Sequence, residues 1–381
     1  MTWSSGFNRL IQMLPRAALA LGVAAFLPSA ALASTAANTT ISNTATVNYN
    51  DAGGFAQPQV TSLAATVTVT LVPSAPGLVS TTPPANLTIN QGQNATLTYQ
   101  ITSTANGLDT YNLGSSAAPT NDTSVTPTFP ATIQLGGSTL AAPAVAGNTT
   151  ITTPYDGNPS NANDNGLVVG STIVIGGNTY TITTITKNAG ANTTTLGLGG
   201  AGITGATVAA GQIIGETKSF TVTVPSGTVT PGTTGTQGVT TTATSGGGTG
   251  PGTTGAVVNI TVNRPTLTVT KTVSVDGGAT FSASGVAPPG TALIYKIVAN
   301  NTGGSNATSV TFTDVVPQYL TYVNGSGKSA TATATTYAAA SPLTEGSGGY
   351  SFTVGTSTVA YAGGTVAGGG FLVLFFKATI N

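Results

Sequence analysis

The chain has 381 residues, 51 of them Gly, and only 5% are charged: 9 Lys or Arg against 9 Asp or Glu, with no Cys and no His. Absent Cys excludes a disulfide framework and a lipid-modified N-terminal cysteine, and the missing His and Cys remove the side chains most used in general acid–base, nucleophilic and metal-assisted chemistry. The balanced charge leaves no basic face for nucleic acid or anionic lipid.

Arg9 and Arg16 precede an apolar stretch over residues 17–27, then Pro28 and Ala31-Leu32-Ala33. This order predicts a secretory signal peptide over 1–33, cut after Ala33; its apolar core is short for a bilayer span. Removing Arg9 and Arg16 leaves 7 basic against 9 acidic residues, a formal charge of −2. No later apolar run is long enough to cross a bilayer, so the reading is a secreted or cell-surface protein with no transmembrane anchor after signal removal.

From 34 to 75, Ile41, Ala45, Val47 and Tyr49 alternate with polar residues, Asp51 to Gly54 turn, and Leu63, Ala65, Val67, Val69 and Leu71 alternate again. That pattern is a β-hairpin or two strands of a sheet. Residues 73–84 read as a linker into a first β-sandwich over 76–263. There Ala95, Leu97, Tyr99 and Ile101 should face in, and Thr96, Thr98, Gln100 and Thr102 out. A β insertion is expected over about 135–216, with Ile173 and Ile175 before a Gly176-Gly177-Asn178 turn and Tyr180 and Ile182 after it. Strands resume at Phe220, Val222 and Val224 and at Val258, Ile260 and Val262. The Gly-Thr-rich run 246–255 between them reads as a mobile loop, and Asn263-Arg264-Pro265 as a domain junction. Thr-rich β-branched alternation with little net charge argues for folded strands over disorder.

The second sandwich, 264–381, has the clearest pattern. Leu293, Tyr295, Ile297 and Ala299 alternate, residues 300–304 (Asn-Asn-Thr-Gly-Gly) turn, and Val310, Phe312 and Asp314 share the face of a returning strand. Setting residues 91–113 on the stretch from Ala287 aligns Tyr99 with Tyr295 and Ile101 with Ile297, which suggests an internal duplication. The first copy replaces the Asn-Thr-Gly turn with Ser103-Thr104-Ala105-Asn106-Gly107 and has no T-D-x-x-P. The fold class is therefore all-β: two Ig-like β-sandwich modules in tandem, the first with a small β insertion, preceded by a signal peptide and a β-hairpin. The Pro-Gly turn at Pro289-Gly290, the Tyr-centred strand, the Asn-Thr-Gly turn, Thr313-Asp314-Val315-Val316-Pro317 and the Leu320-Thr321-Tyr322-Val323 strand together resemble domain of unknown function 11, from about Thr266 onward. That resemblance implies an extracellular Ig-like module of bacterial surface and secreted proteins, repeated as a spacer, with no reaction attached.

Candidate sites are few. Residues 155–166 (YDGNPSNANDNG) are the one dense oxygen-ligand segment. Asp156, Asn158, Ser160 and Asp164 there could wrap calcium, although no terminal bidentate Glu is present, and the same residues form ordinary polar turns. Lys271 shares parity with Leu267, Val269, Val273 and Val275, on the apolar face of the first strand of the second module. Its amine either reaches water at a strand end or forms an isopeptide crosslink to an Asn, with Asp314 assisting. Asp314 alone reads as a backbone cap ahead of Pro317. The apolar run 371–376 is either a fully buried central strand or a face or edge that meets another subunit.

No cofactor is implied apart from that calcium. The function expected is an exported, non-enzymatic structural protein of a bacterial surface layer, extracellular filament or matrix. Its partners would be further copies of itself or other surface proteins and glycans, with no nucleic acid. The alternative is an adhesin or carbohydrate-binding surface module, and a third reading, a hydrolase, needs two acids brought together in one cleft.

Overall fold

The computed structural model describes residues 35–82 and 86–381; the expected leader and its cleavage site lie outside the described residues. The regular secondary structure of the described residues is strand, apart from two short 3-10 turns, Gly246–Gly248 and Val354–Thr356.

The first module forms around the strand Asn94–Thr102. Ala95, Leu97, Tyr99 and Ile101 are buried while their neighbours reach solvent, the alternation a half-buried strand requires. This strand pairs antiparallel with Gly77–Thr82 on one side and Ile213–Pro225 on the other. The segment expected as linker therefore contains an edge strand. The facing sheet runs Asn86–Asn90, Val258–Asn263, Gly235–Thr244, Asp109–Thr120, Thr132–Leu135. Its first pair is parallel. Tyr99 stacks on Phe220 with centroids 5.6 Å apart, inside a core completed by Tyr111, Val222, Val239 and Ile260. The run expected as a mobile loop folds back on the sheet: Gly252–Thr254 pairs onto Thr242–Thr244, and Asp109 Oδ1 accepts the Gly246 N–H at 2.9 Å.

The insertion carries its own core, with Ile151, Leu167, Ile173, Ile182, Leu196 and Ile214 buried. Its hairpin turns at Gly176-Gly177, both at positive φ, which fits the two-residue turn between Ile175 and Asn178. Its sheet joins the first module through the start of Ile213–Pro225, where Ile173 lies opposite Glu216 and Gly137 opposite Gly215. At this seam a Cβ on Gly215 would stand 1.8 Å from the Ser103 carbonyl oxygen, so only glycine permits the approach.

In the second module one sheet runs Leu267–Ser274, Ala292–Asn301, Phe371–Ile380, Lys328–Ala330, Ser341–Pro342, and Leu320–Tyr322 also pairs with Phe371–Ile380. The facing sheet is Ala307–Val315, Thr358–Val366, Tyr350–Thr353. The final strand is thus central, with neighbours on both edges. One face packs Leu372, Leu374 and Phe376 into the inter-sheet core; the other packs Val373 and Phe375 beneath Ile294 and Ala340. With both faces and both edges occupied, residues 371–376 form the fully buried central strand, the first of the two readings open to the sequence, and not the subunit contact.

Ahead of the modules, Thr40–Asn43 pairs with Ala65–Thr68 and Thr46–Val47 with Val60–Thr61, giving a two-stranded ribbon. Every residue of its four short strands is exposed. Its tip is a turn whose Gly53 and Phe55 N–H groups donate to Asp51 Oδ1.

Candidate functional site

The Asp/Asn-rich loop of the insertion does gather oxygens around a cation, and that cation is a lysine. Lys187 lies on the long strand Asn178–Asn188, which reaches past the sheet to the loop. Its ammonium donates to Asp156 Oδ1 at 2.8 Å, to Asp156 Oδ2 at 2.9 Å, to the Asn158 carbonyl at 2.6 Å and to Asn161 Oδ1. It also lies 5.7 Å from the Tyr155 ring centroid. The loop holds its own shape: Asn158 N–H donates to Asp156 Oδ1, and Ser160 N–H to Asn158 Oδ1. These are side-chain turns that fold the segment back on itself.

Asp156 and Asn158 therefore converge, through a carboxylate and a carbonyl, on the Lys187 ammonium. Ser160 contributes a backbone donor, and Asp164 points elsewhere. Asp164 is buried, accepting hydroxyls from Thr153 at 2.8 Å and Thr194 at 3.1 Å. Burial pushes its pKa up to about 6 against the opposing pull of the Thr153 hydroxyl, with the Asp156 charge adding to the rise. Glu216 is a further buried acid, at the seam. Its Oε1 accepts from Ser171 at 2.7 Å, its Oε2 from the Gly136 N–H at 2.9 Å, and Lys218 lies 3.1 Å away. Among the described residues no three Cys, His, Asp or Glu side chains gather as a metal-ligand group.

Lys271 and Asp314 are brought together across the open side of the second sandwich. Lys271 belongs to the edge strand of one sheet and Asp314 to the edge strand of the other. The ammonium donates to Oδ1 at 2.8 Å, stands 2.6 Å from Oδ2 off the hydrogen-bonding direction, and lies 4.7 Å from the Tyr295 ring centroid. The parity expected for Lys271 is observed, but its side chain is 40% exposed, because this edge of the sandwich is open. Among the described residues neither side chain is hydrogen-bonded to an asparagine. Asp314 is also not a backbone cap: its oxygen takes the ammonium. Asp276 does that work instead, accepting from Ser274, from the Ala279 N–H and from both N–H and hydroxyl of Thr280. The Ser274 and Thr280 hydroxyls hold its carboxyl well below the usual carboxylate range.

Two buried asparagines were not singled out from sequence. Asn301 Oδ1 accepts the N–H groups of Thr266 and Gly303, and its Nδ2 donates to the Ser305, Val366 and Ala367 carbonyls. Asn106 does the same for the ribbon: Oδ1 accepts Val72 N–H at 2.8 Å, Nδ2 donates to Thr35 and Thr70 carbonyls, and its own carbonyl accepts Ala37 N–H. It clamps both chain segments at the ribbon base onto the first module. With Tyr99 set on Tyr295 the two asparagines fall one position apart, so the duplication was the signal available for them.

No protein-family model matches the chain, and no curated protein matches it in sequence. Solved structures similar to it include one designated BspA_C_WT, at 13% identity over 77% of this chain and 87% of that one, with a TM-score of 0.30. The C-terminal domain of the Streptococcus pyogenes antigen I/II-family protein AspA gives 11% identity over 89% and 91%, with a TM-score of 0.29. Collagen adhesin from S. aureus gives 10% identity over 81% of each chain, with a TM-score of 0.18. Superpositions this loose leave function to be argued from the chain's own geometry.

Proposed function

We propose that the chain is an exported, non-enzymatic structural protein of a bacterial surface layer, extracellular filament or matrix, whose copies associate through β-strand edges or faces. The observation that carries this reading is where the polar chemistry goes. Asp156, Lys187, Asp164, Glu216, Lys271 and Asp314 are engaged in holding loops and sheets together, while the ribbon, whose one charge is Asp51, is left uncovered. A weakly charged, Thr-rich β surface has little electrostatic resistance to edge-to-edge association. The domain of unknown function 11 assignment is part of the same proposal; it is supported by strands Ala292–Asn301, Ala307–Val315 and Leu320–Tyr322 following the spacing of its motif. Calcium is not needed on this reading, since the loop already holds an ammonium.

The test is electron microscopy of the purified protein without its leader. Filaments or sheets are expected. A glycan-binding role would instead leave isolated particles that bind a polysaccharide. The hollow of about 350 Å³ lined by Thr270, Phe281, Lys296, Asn300 and Phe371 is the place on the second module where a sugar would find both ring faces and hydrogen-bonding groups. Isolated particles at every concentration overturn the structural reading.

A further inference from the structure

The N-terminal ribbon and the strand Leu267–Ser274 are both incomplete, in ways that match. A two-stranded hairpin is marginal in water unless it packs on something. This one exposes Ile41, Val47, Tyr49, Phe55, Val60, Leu63 and Val67, each at least half open and Leu63 at 95%. At on the order of 100 Å² apiece these side chains and their neighbours approach the roughly 800 Å² per partner that a stable interface covers. The single charge of the ribbon, Asp51, is spent on its own turn, taking Gly53, Phe55 and Gln57 donors. Nothing in the ribbon would select a charged partner, and what it offers is apolar side chains and open main-chain groups.

The hydrogen-bond parity shows where those groups are. Val69 N–H donates to the Thr39 carbonyl within the ribbon, so Val67 and Ala65 also bond inward and Thr66 and Thr68 direct N–H and C=O outward. In the second module Thr302 N–H donates to the Thr266 carbonyl, so Thr268, Thr270 and Thr272 bond to Ala292–Asn301. Leu267, Val269 and Lys271 then direct their main-chain groups away from the sheet. Val273 confirms the parity, since its outward N–H and C=O are both taken by Ser282. Among the described residues those of Leu267, Val269 and Lys271 bond to nothing. This open stretch runs between two hollows. The outer one, about 350 Å³, has Phe281, Val298 and Phe371 in its lining, and the one at the module junction, about 630 Å³, has Leu267 and Ala307.

We propose that the open edge Leu267–Lys271 takes the ribbon strand Ala65–Thr68 of a second copy of this chain, joining copies head to tail. Outward residues face each other across such a pair and share a face. With Thr66 and Thr68 opposite this edge, Val67 falls on the same face as Thr268 and Thr270, over the aromatic outer hollow. Main-chain bonds supply affinity, and the hollow accommodates alternate side chains. Because the two surfaces differ, the contact is heterologous and propagates unless the rotation happens to close it. This deepens the proposed self-association and rests on it.

The test compares the leader-free chain with Val269→Pro and Thr68→Pro, each of which deletes an outward N–H that no intramolecular bond uses. Light scattering and electron microscopy read assembly, and circular dichroism with thermal melts checks the fold. Where Val269→Pro misfolds, Val269→Lys blocks the same edge by charge. Each variant alone should associate at least about tenfold more weakly than wild type. An equimolar mixture of the two should form one-to-one dimers that grow no further, since one copy retains a sound edge and the other a sound ribbon. If both Val269 variants assemble as wild type does, the edge assignment is wrong while self-association stands. If wild type is a monomer at every concentration, both fall.

Discussion

Replacing Lys187 by Met removes the cation from the insertion loop and keeps the stem that packs beside Tyr155. The Lys187 and Asp156 side chains are 11% and 5% exposed, so the ammonium leaves behind a carboxylate with little access to water, together with the Asn158 carbonyl and Asn161 Oδ1. Breaking a buried pair from one side costs about 3–5 kcal/mol. Asp156 retains two donors, Asn158 N–H and Asn161 Nδ2, each at 3.1 Å, which places the expected loss near the lower end of that range. Asp156→Asn alone should cost less, because the partly exposed ammonium can swing toward solvent. The double variant should cost clearly less than the sum of the two, with a coupling of about 2 kcal/mol or more. Urea unfolding followed by far-UV circular dichroism reads this, since the sequence's one Trp, Trp3, falls in the segment expected as leader. Calcium at about 1 mM should leave the wild-type midpoint unchanged, although that concentration is enough to occupy at least about half of the sites in extracellular calcium modules. A Lys187→Met loss under about 1 kcal/mol, or an additive cycle, refutes the claim that the ammonium organises this loop.

Asp164 has a folded pKa of about 6 against about 3.9 in an unfolded chain, so the folded state binds the extra proton between those values. Its stabilising effect is complete below pH 4 and lost as pH rises through 6; about 3 kcal/mol of difference between wild type and Asp164→Asn should appear across that window in urea titrations. A flat difference would show that the carboxyl is not buried as described. Gly215→Ala should cost 3 kcal/mol or more, at the upper end of overpacking effects of about 1–3 kcal/mol, because its Cβ meets a main-chain oxygen that cannot give way. Asn106→Ala should leave the modules folded, free the ribbon base and make residues 35–72 the first site of limited proteolysis. The intact mass of residues 34–381 should equal their sequence mass; a deficit of about 17 Da, the ammonia expelled when a lysine amine condenses with an asparagine carboxamide, would mean that Lys271 is crosslinked to an Asn and not only ion-paired with Asp314.

The sequence patterns that matched the structure were those governed by one local rule. Alternation through Asn94–Thr102 and Ala292–Asn301, and the paired glycines at 176 and 177, each follow from strand or turn geometry within a dozen residues. What stayed open depended on which edges meet. The terminal run 371–376 is apolar on both faces whether it is central or lies at an interface, and only the neighbours Ala292–Asn301 and Lys328–Ala330 decide between them. The Asp/Asn loop was legible as a cation cage but not for its occupant, 31 positions along the chain. Lys187 is the sole basic residue of the insertion beside Asp156, Asp164 and Glu216. In a segment with so few charges that solitary cation was the available clue, because an unpaired buried carboxylate has to find a partner.

The placement of charge also explains how a surface this neutral is held in a specific form. A chain with 18 ionisable Lys, Arg, Asp and Glu residues would ordinarily spread them over its surface for solubility. Here Asp109, Asp156, Asp164 and Glu216 are buried, and Lys271 clasps two sheet edges. Lys328 and Lys377 both sit 4.6 Å from the Tyr337 ring centroid, and Lys296 lies over Phe281 and Phe375. The charges are concentrated at seams, where they fix how loops and sheets close, and this leaves Thr, Ser and Asn to meet solvent. Such a surface discourages neither strand pairing nor contact between copies. Adding charge to the ribbon should therefore weaken assembly far more than it weakens the fold: Leu63→Lys with Val67→Lys should leave the melting temperature within a few degrees of wild type while sharply lowering association at low salt. Equal loss of both would mean the ribbon is part of the folded unit and not its connector.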